Sequence, residues 1–158
     1  MRIALDGCDG TGKTTITEKL ANKLGCNIVR LTYNGDRSTR AYHQLMRADR
    51  VVHDRTFLSE LIYPKYFNRE TRLTVKDVPA LFGMLSLYHI KVFILTASTE
   101  TIQKRIGARG DEFISDMSKF EGINQDYLDI AKEHGYTVID TTNKTIDEIV
   151  EEIIDDCK

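Results

Sequence analysis

Eight consecutive residues, Gly7-Cys8-Asp9-Gly10-Thr11-Gly12-Lys13-Thr14, have the types and spacing to hold a polyphosphate. They fit the pattern G-x-x-x-x-G-K-[ST] without a mismatch. Glycines let the backbone turn so that successive N–H groups point at phosphate oxygens. A helix opening at Thr14 and Thr15 adds the positive end of its dipole. Lys13 supplies a mobile charge for β- and γ-phosphates, and the Thr14 hydroxyl suits Mg²⁺. The expected ATP-binding set is therefore Gly7, Asp9, Gly10, Thr11, Gly12, Lys13, Thr14 and Thr15. A chance match is expected in only about one chain in a hundred of this length, given Gly near 7%. That disfavours the alternative of a glycine turn that binds nothing.

Two further groups suit anion chemistry. Asp54-Arg55 closes a short apolar run, where a carboxylate can hold Mg²⁺ and an arginine can face a transferring phosphoryl group. Taken alone, the pair reads equally well as a helix cap and a surface arginine. Arg105 and Arg109 lie four apart, on one helical face if the helix continues. Gly107 and Gly110 beside them suit a hinge that closes and excludes water. The plain alternative for these arginines is a solvated helix face.

The elements that must position these groups follow from hydrophobic periodicity. Apolar runs at 3–5, 27–33, 51–54, 92–95 and 137–140 read as five strands. Between and after them, helices are expected over 14–24, 39–46, 58–67, 78–88, 98–106 and 115–134. Gly25 and Gly135 stand as helix stops. The last helix follows a capping box, Thr145 with Glu148, and carries Ile146, Ile149, Val150, Ile153 and Ile154 as one apolar stripe. Strands separated by helices imply an α/β fold, a P-loop NTPase three-layer sandwich. Its five-stranded, mainly parallel sheet has helices on both faces. Ligands of such sheets bind beyond the strands' carboxyl ends, where the motif residues fall. One domain is expected over 1–158, with a substrate-binding segment near 33–50 and a lid near 105–115.

The bulk composition excludes several classes. With 158 residues, 41% hydrophobic and 29% charged, the chain is globular rather than disordered. A net charge of -2 disfavours long nucleic acid as a partner. Three cysteines and four scattered histidines show no metal-ligand spacing. No run approaches the ~18 apolar residues of a membrane span, and no signal peptide precedes the motif, so a cytoplasmic protein is expected. Cys8, within the loop, is either a passive spacer or a site of oxidation or alkylation.

Asp9 together with Asp54-Arg55-Thr56-Phe57-Leu58-Ser59-Glu60-Leu61-Ile62-Tyr63 resembles the thymidylate kinase family, which has a D-R-[YF]-x-x-S-x-x-[AV]-[YF] segment after its third strand. The stretch from Val92 to Thr142 is similar too, with Arg105, Arg109, Phe120, Tyr127 and a strand into Asp140. Asp36-Arg37-Ser38-Thr39 resembles the family's arginine loop after strand two. The resemblance implies ATP as phosphoryl donor, Mg²⁺ at Thr14 and Asp54, and Lys13, Arg55, Arg105 and Arg109 as catalytic cations. It implies that Asp9 binds the sugar 3′-hydroxyl, Arg37 grips the acceptor's phosphate and Arg55 bridges donor and acceptor. Tyr63 packs where a 2′-hydroxyl would sit, and Tyr33 and Ser59 complete the acceptor site. The lid arginines divide between phosphates and adenine. Family members often form homodimers.

The chain departs from the family between the phosphate loop and Asp54, where the base-reading helix is missing. Tyr33, Tyr42, His43 and Arg47 are the available replacements, Glu60 stands where the family often has a small or amide residue near the base, and Asp111-Glu112 lacks a common lid arginine. The expected activity is phosphoryl transfer to a deoxynucleoside monophosphate, dTMP or another pyrimidine. A deoxynucleoside kinase and a nucleotide-binding protein without catalysis are the alternatives. The N-K-x-D signature of GTPases is absent, since Asn143-Lys144 is followed by Thr145-Ile146-Asp147.

Overall fold

The structure is a computed structural model and describes residues 1–32, 35, 37–108, 110 and 116–158. Five strands form one sheet: β1 (Arg2–Gly7), β2 (Asn27–Arg30), β3 (Val51–Asp54), β4 (Lys91–Thr96) and β5 (Thr137–Asp140). Their order is β2-β3-β1-β4-β5, and all four pairings are parallel. Seven helices occur among the described residues: α1 (Lys13–Leu24), α2 (Thr39–Met46), α3 (Leu58–Phe67), α4 (Asp77–Leu87), α5 (Thr99–Gly107), α6 (Ser118–His134) and α7 (Ile146–Asp156). The expected α/β sandwich is the fold observed. The second strand is shorter than its apolar run suggested, and α6 begins at Ser118 rather than near residue 115.

Alternation along the central strands divides the core. Ile3, Leu5, Phe93 and Leu95 point to one face and pack with Ile16 and Leu20 of α1 and Ile149, Val150 and Ile153 of α7. Ala4, Val92 and Ile94 point to the other, against Leu58 and Ile62 of α3, Leu81 and Leu85 of α4, and Ile123 and Tyr127 of α6. Both faces being covered explains why β1 and β4 read as continuous apolar runs. The capping box of α7 is formed: Thr145 accepts from the Glu148 backbone, and Glu148 accepts from the Thr145 backbone.

The strand order puts the carboxyl end of β1 between those of β3 and β4. The phosphate loop leaves β1 there, close against β4: a Cβ on Gly7 would lie 2.2 Å from the Leu95 carbonyl oxygen, and Gly7 has φ 138°. Only glycine fits that contact.

His53, on β3, is buried and its Nε2 has no hydrogen-bond partner. Burial pulls its pKa down to about 4. Folding therefore keeps this imidazole neutral, whereas the unfolded chain's imidazole takes up a proton below about pH 6.5. The sign follows: above that pH the group is silent, and stability falls as pH drops from about 6.5 to about 4, by up to about 3 kcal/mol. The urea midpoint should decline over that window and decline less in His53→Leu. Parallel declines in both proteins would remove His53 from the acid response.

Candidate phosphate and nucleotide site

The phosphate loop runs from the end of β1 into α1, and its turns are made at Gly10 (φ 80°) and Gly12 (φ 92°). Thr11 braces the loop from within, donating from Oγ1 to the Cys8 carbonyl at 2.8 Å. Lys13 is folded across it, with Nζ 2.6 Å from the Cys8 carbonyl and 3.4 Å from Thr11 Oγ1. Burial, then the charge of Arg55, lowers the Lys13 pKa to about 8. An anion in the loop would relieve both penalties. Thr14 and Thr15 lie exposed in the first turn of α1.

Asp54, at the carboxyl end of β3, accepts a 3.0 Å hydrogen bond from Thr14 Oγ1, and Arg30 Nε stands 3.7 Å from the same carboxylate oxygen. A hydroxyl and a carboxylate at the end of a phosphate loop are the hard oxygen donors Mg²⁺ takes when substrate phosphates supply other ligands. Among the described residues no cluster of three or more His, Cys, Asp or Glu could hold a metal unaided. The donor set fits Mg²⁺ shared with a nucleotide.

Arg55 follows at once, with φ 77°, a conformation unfavourable for a non-glycine residue. The turn is held by Arg55 N donating to the Leu5 carbonyl (2.9 Å) and by Asp6, which accepts from Thr56 N (2.7 Å) and Thr56 Oγ1 (2.6 Å). Arg55 is thereby aimed back over the loop. Its guanidinium pairs with Asp9, donates to Ser59 Oγ (3.1 Å) and Gly7 O (3.4 Å), and lies 5.0 Å over the Tyr63 ring. Tyr63 Oη accepts from Asp9 N at 3.1 Å. Burial pushes the Tyr63 phenol well up, so it works as a neutral group.

Beside this cluster opens a cavity of about 380 Å³ whose wall includes Asp9, Arg37, Arg55, Ser59 and Tyr63. Three stretches of sequence thus meet at one place. Arg37 is committed to Glu60, with Nη1 2.9 Å and 3.1 Å from the two carboxylate oxygens, and it also donates to Glu70 O at 3.4 Å. Arg105 does not reach the cavity. It ties α5 to the loops beneath, donating to Gly10 O (3.3 Å), Thr141 Oγ1 (3.0 Å) and Thr141 O (2.8 Å). Tyr33 and Arg109 lie outside the described residues. Of the proposed base-reading replacements, Tyr42 lines the cavity while packed edge-on against Phe57. His43 is turned to Tyr88, and Arg47 is the exposed end of α2.

Several site residues went unmarked in the sequence reading. Asp6 is wholly buried beneath Arg55 and also accepts from Tyr127 Oη (3.0 Å) and Ser59 Oγ (3.1 Å). Desolvation raises its pKa. A carboxylate ending an otherwise apolar central strand was the available signal. Thr141, the first residue after β5, braces the loop through its hydroxyl on Thr11 O (3.1 Å), and its position after a strand was the clue. Arg69 and Phe67 line the cavity, with the Arg69 guanidinium 4.9 Å over the Phe67 ring, and periodicity carries no sign of this.

No family model matches the chain. Curated relatives do. It is 29% identical to a probable thymidylate kinase of Methanocaldococcus jannaschii, over 98% of this chain and 94% of the relative. It is 35% identical to a putative adenylate kinase of Pyrococcus abyssi, over 98% of this chain and 82% of the relative. Among solved structures, the YorR protein of Bacillus subtilis, in complex with phosphorylated GDP, superimposes with a TM-score of 0.85 at 27% identity, covering 99% of this chain and 95% of that one.

The loop cysteine reads as a spacer. Cys8 is wholly buried and its Sγ lies 3.7 Å from Phe120 O. Burial pushes its thiol pKa up to about 12, which suppresses the reactive thiolate. At pH 8, iodoacetamide should label only Cys26 and Cys157 in the native protein, and Cys8 only after unfolding, as read by intact and peptide mass. Rapid native labelling of Cys8 would contradict that.

Proposed function

We propose, from the premise that this chain belongs to the thymidylate kinase-like P-loop nucleotide kinases, that it transfers the γ-phosphoryl group of ATP to the 5′-phosphate of a pyrimidine deoxynucleoside monophosphate, dTMP or a close analogue. The observation that carries the reading is the junction at Arg55. One guanidinium touches the phosphate loop at Gly7 O and the acceptor cavity at Asp9 and Ser59. Phosphoryl transfer asks a protein for alignment and charge stabilisation more than for covalent chemistry. A cation held at the seam between donor and acceptor supplies both.

Backbone N–H groups of the loop and the amino end of α1 take the β- and γ-phosphates, and Lys13 exchanges the Cys8 carbonyl for a phosphate oxygen. Thr14 and Asp54 would hold Mg²⁺, which when bound screens the charge of the polyphosphate. Arg55 neutralises the oxygens of the transferring group. Asp9 accepts from the sugar 3′-hydroxyl, and Tyr63 closes the space beside the sugar 2′-carbon. Arg105, fixed on Gly10 and Thr141, holds the loop against the segment after β5.

A coupled assay with ATP, Mg²⁺ and a panel of nucleosides and nucleoside monophosphates tests the reading. Turnover is expected with a monophosphate acceptor. Lys13→Ala and Arg55→Ala should each lower kcat/KM by about 10²-fold or more. Faster turnover with free deoxynucleosides would replace the monophosphate reading by a deoxynucleoside kinase. ATP binding without turnover on any acceptor would leave a binding module.

A further inference from the structure

We infer that Ser59 and Tyr127 are positioning residues of the transfer step, and that together they carry the hold of the buried Asp6 carboxylate to the guanidinium of Arg55. Their role rests on the nucleotide-kinase reading and goes beyond it: Tyr127 gains a part in the reaction, and Ser59 serves Arg55 rather than the acceptor.

The two oxygens of Asp6 serve different parts of Arg55. Oδ2 accepts from Thr56 N (2.7 Å) and Thr56 Oγ1 (2.6 Å), and so fixes the backbone turn in which Arg55 has positive φ. Oδ1 accepts from Ser59 Oγ (3.1 Å) and from Tyr127 Oη (3.0 Å), and the two hydroxyl oxygens are 2.9 Å apart. Ser59 Oγ in turn accepts from Arg55 Nη1 at 3.1 Å. One carboxylate oxygen sets where the arginine side chain starts, and the other sets where its charged end stops.

Proton counting fixes the direction of these bonds. An ionised carboxylate offers about four acceptor sites and no donor. Thr56 fills two of them, and the hydroxyls of Ser59 and Tyr127 fill the two on Oδ1. Ser59 has one proton and gives it to Asp6, so it meets Arg55 with its oxygen. A serine that donated to the acceptor would have to withdraw that proton from a buried carboxylate. The other polar contacts of the guanidinium lie on the ligand's side. Asp9 is partly exposed and is the residue assigned to the acceptor's sugar, and Gly7 O belongs to the phosphate loop. A nucleotide competes for those partners, whereas Asp6 and Tyr127 are wholly buried and beyond its reach. The Ser59 bond is the one that lasts into the bound state. Held from behind, Arg55 keeps its remaining N–H donors for the transferring phosphoryl group.

The test is steady-state kinetics with ATP, Mg²⁺ and the best monophosphate acceptor. Ser59→Ala and Tyr127→Phe are measured singly and each combined with Arg55→Ala. Each single variant should lower kcat about tenfold or more, the effect of losing a hydrogen bond in a charged network, with both KM values within about twofold of wild type. On Arg55→Ala the same substitutions should lower kcat by less than about twofold, because the group they position is gone. A merely structural role would lower kcat equally in both backgrounds, and that result would overturn the inference. So would a raised acceptor KM with unchanged kcat in Ser59→Ala, the mark of a serine that binds the acceptor. Wild-type kinetics in folded Tyr127→Phe would overturn it as well. If Tyr127→Phe fails to fold, Ser59→Ala with and without Arg55 decides. All these outcomes leave the kinase reading intact, since wild type turns over in each; no turnover with any acceptor would sink that reading and the inference with it.

Discussion

The site is organised around one buried carboxylate. Asp6 ends β1 in a place without water, which is costly unless every lone pair is met. It is met by the backbone and hydroxyl of Thr56, by Ser59 and by Tyr127, which belong to the β3–α3 junction and to α6. Two parts of the chain distant in sequence are thereby fixed to the strand from which the phosphate loop springs. The same bonds hold the turn in which Arg55 has positive φ, so a strained backbone aims the cation and a buried acid maintains the strain.

Charges around the cavity are arranged in pairs. Asp9 balances Arg55 and Glu60 balances Arg37, while Lys13 lies folded on a carbonyl with its pKa lowered by burial and by Arg55. Without nucleotide, these pairs keep a strongly cationic pocket from paying its own repulsion. When a polyphosphate enters, Lys13 has a better partner than the Cys8 carbonyl, and Arg55 already stands at the junction. For the proposed phosphoryl transfer little rearrangement would then be needed, which is the condition for electrostatic preorganisation.

The fold was legible because its signals are local and repeated. Apolar runs long enough to be buried on both faces marked β1 and β4, and the capping box marked where α7 begins. The phosphate loop was legible because each glycine answers a backbone constraint, most sharply Gly7 against Leu95. What stayed illegible depends on tertiary pairing. No spacing rule could say that Arg37 would meet Glu60, 23 residues away, or that Arg105 would turn down onto Thr141 rather than toward an open site. Asp6 was visible as a charge in an apolar strand, yet its four donors come from parts of the chain that only the folded sheet brings together.

The short link between β2 and β3 leaves the cavity wall to other parts of the chain. Among the described residues it holds a single helix of 8 residues. That side of the cavity is lined by α3, the segment that follows it and Arg37. A buried ion pair such as Arg37 with Glu60 is a poor source of stability, because desolvating both partners offsets most of their attraction. Apolar side chains of the same volume would hold this part of the cavity at least as well. What the pair supplies, and an apolar wall cannot, is a fixed acceptor with a fixed direction. Its two partners sit on the cavity wall, where a ligand would meet them.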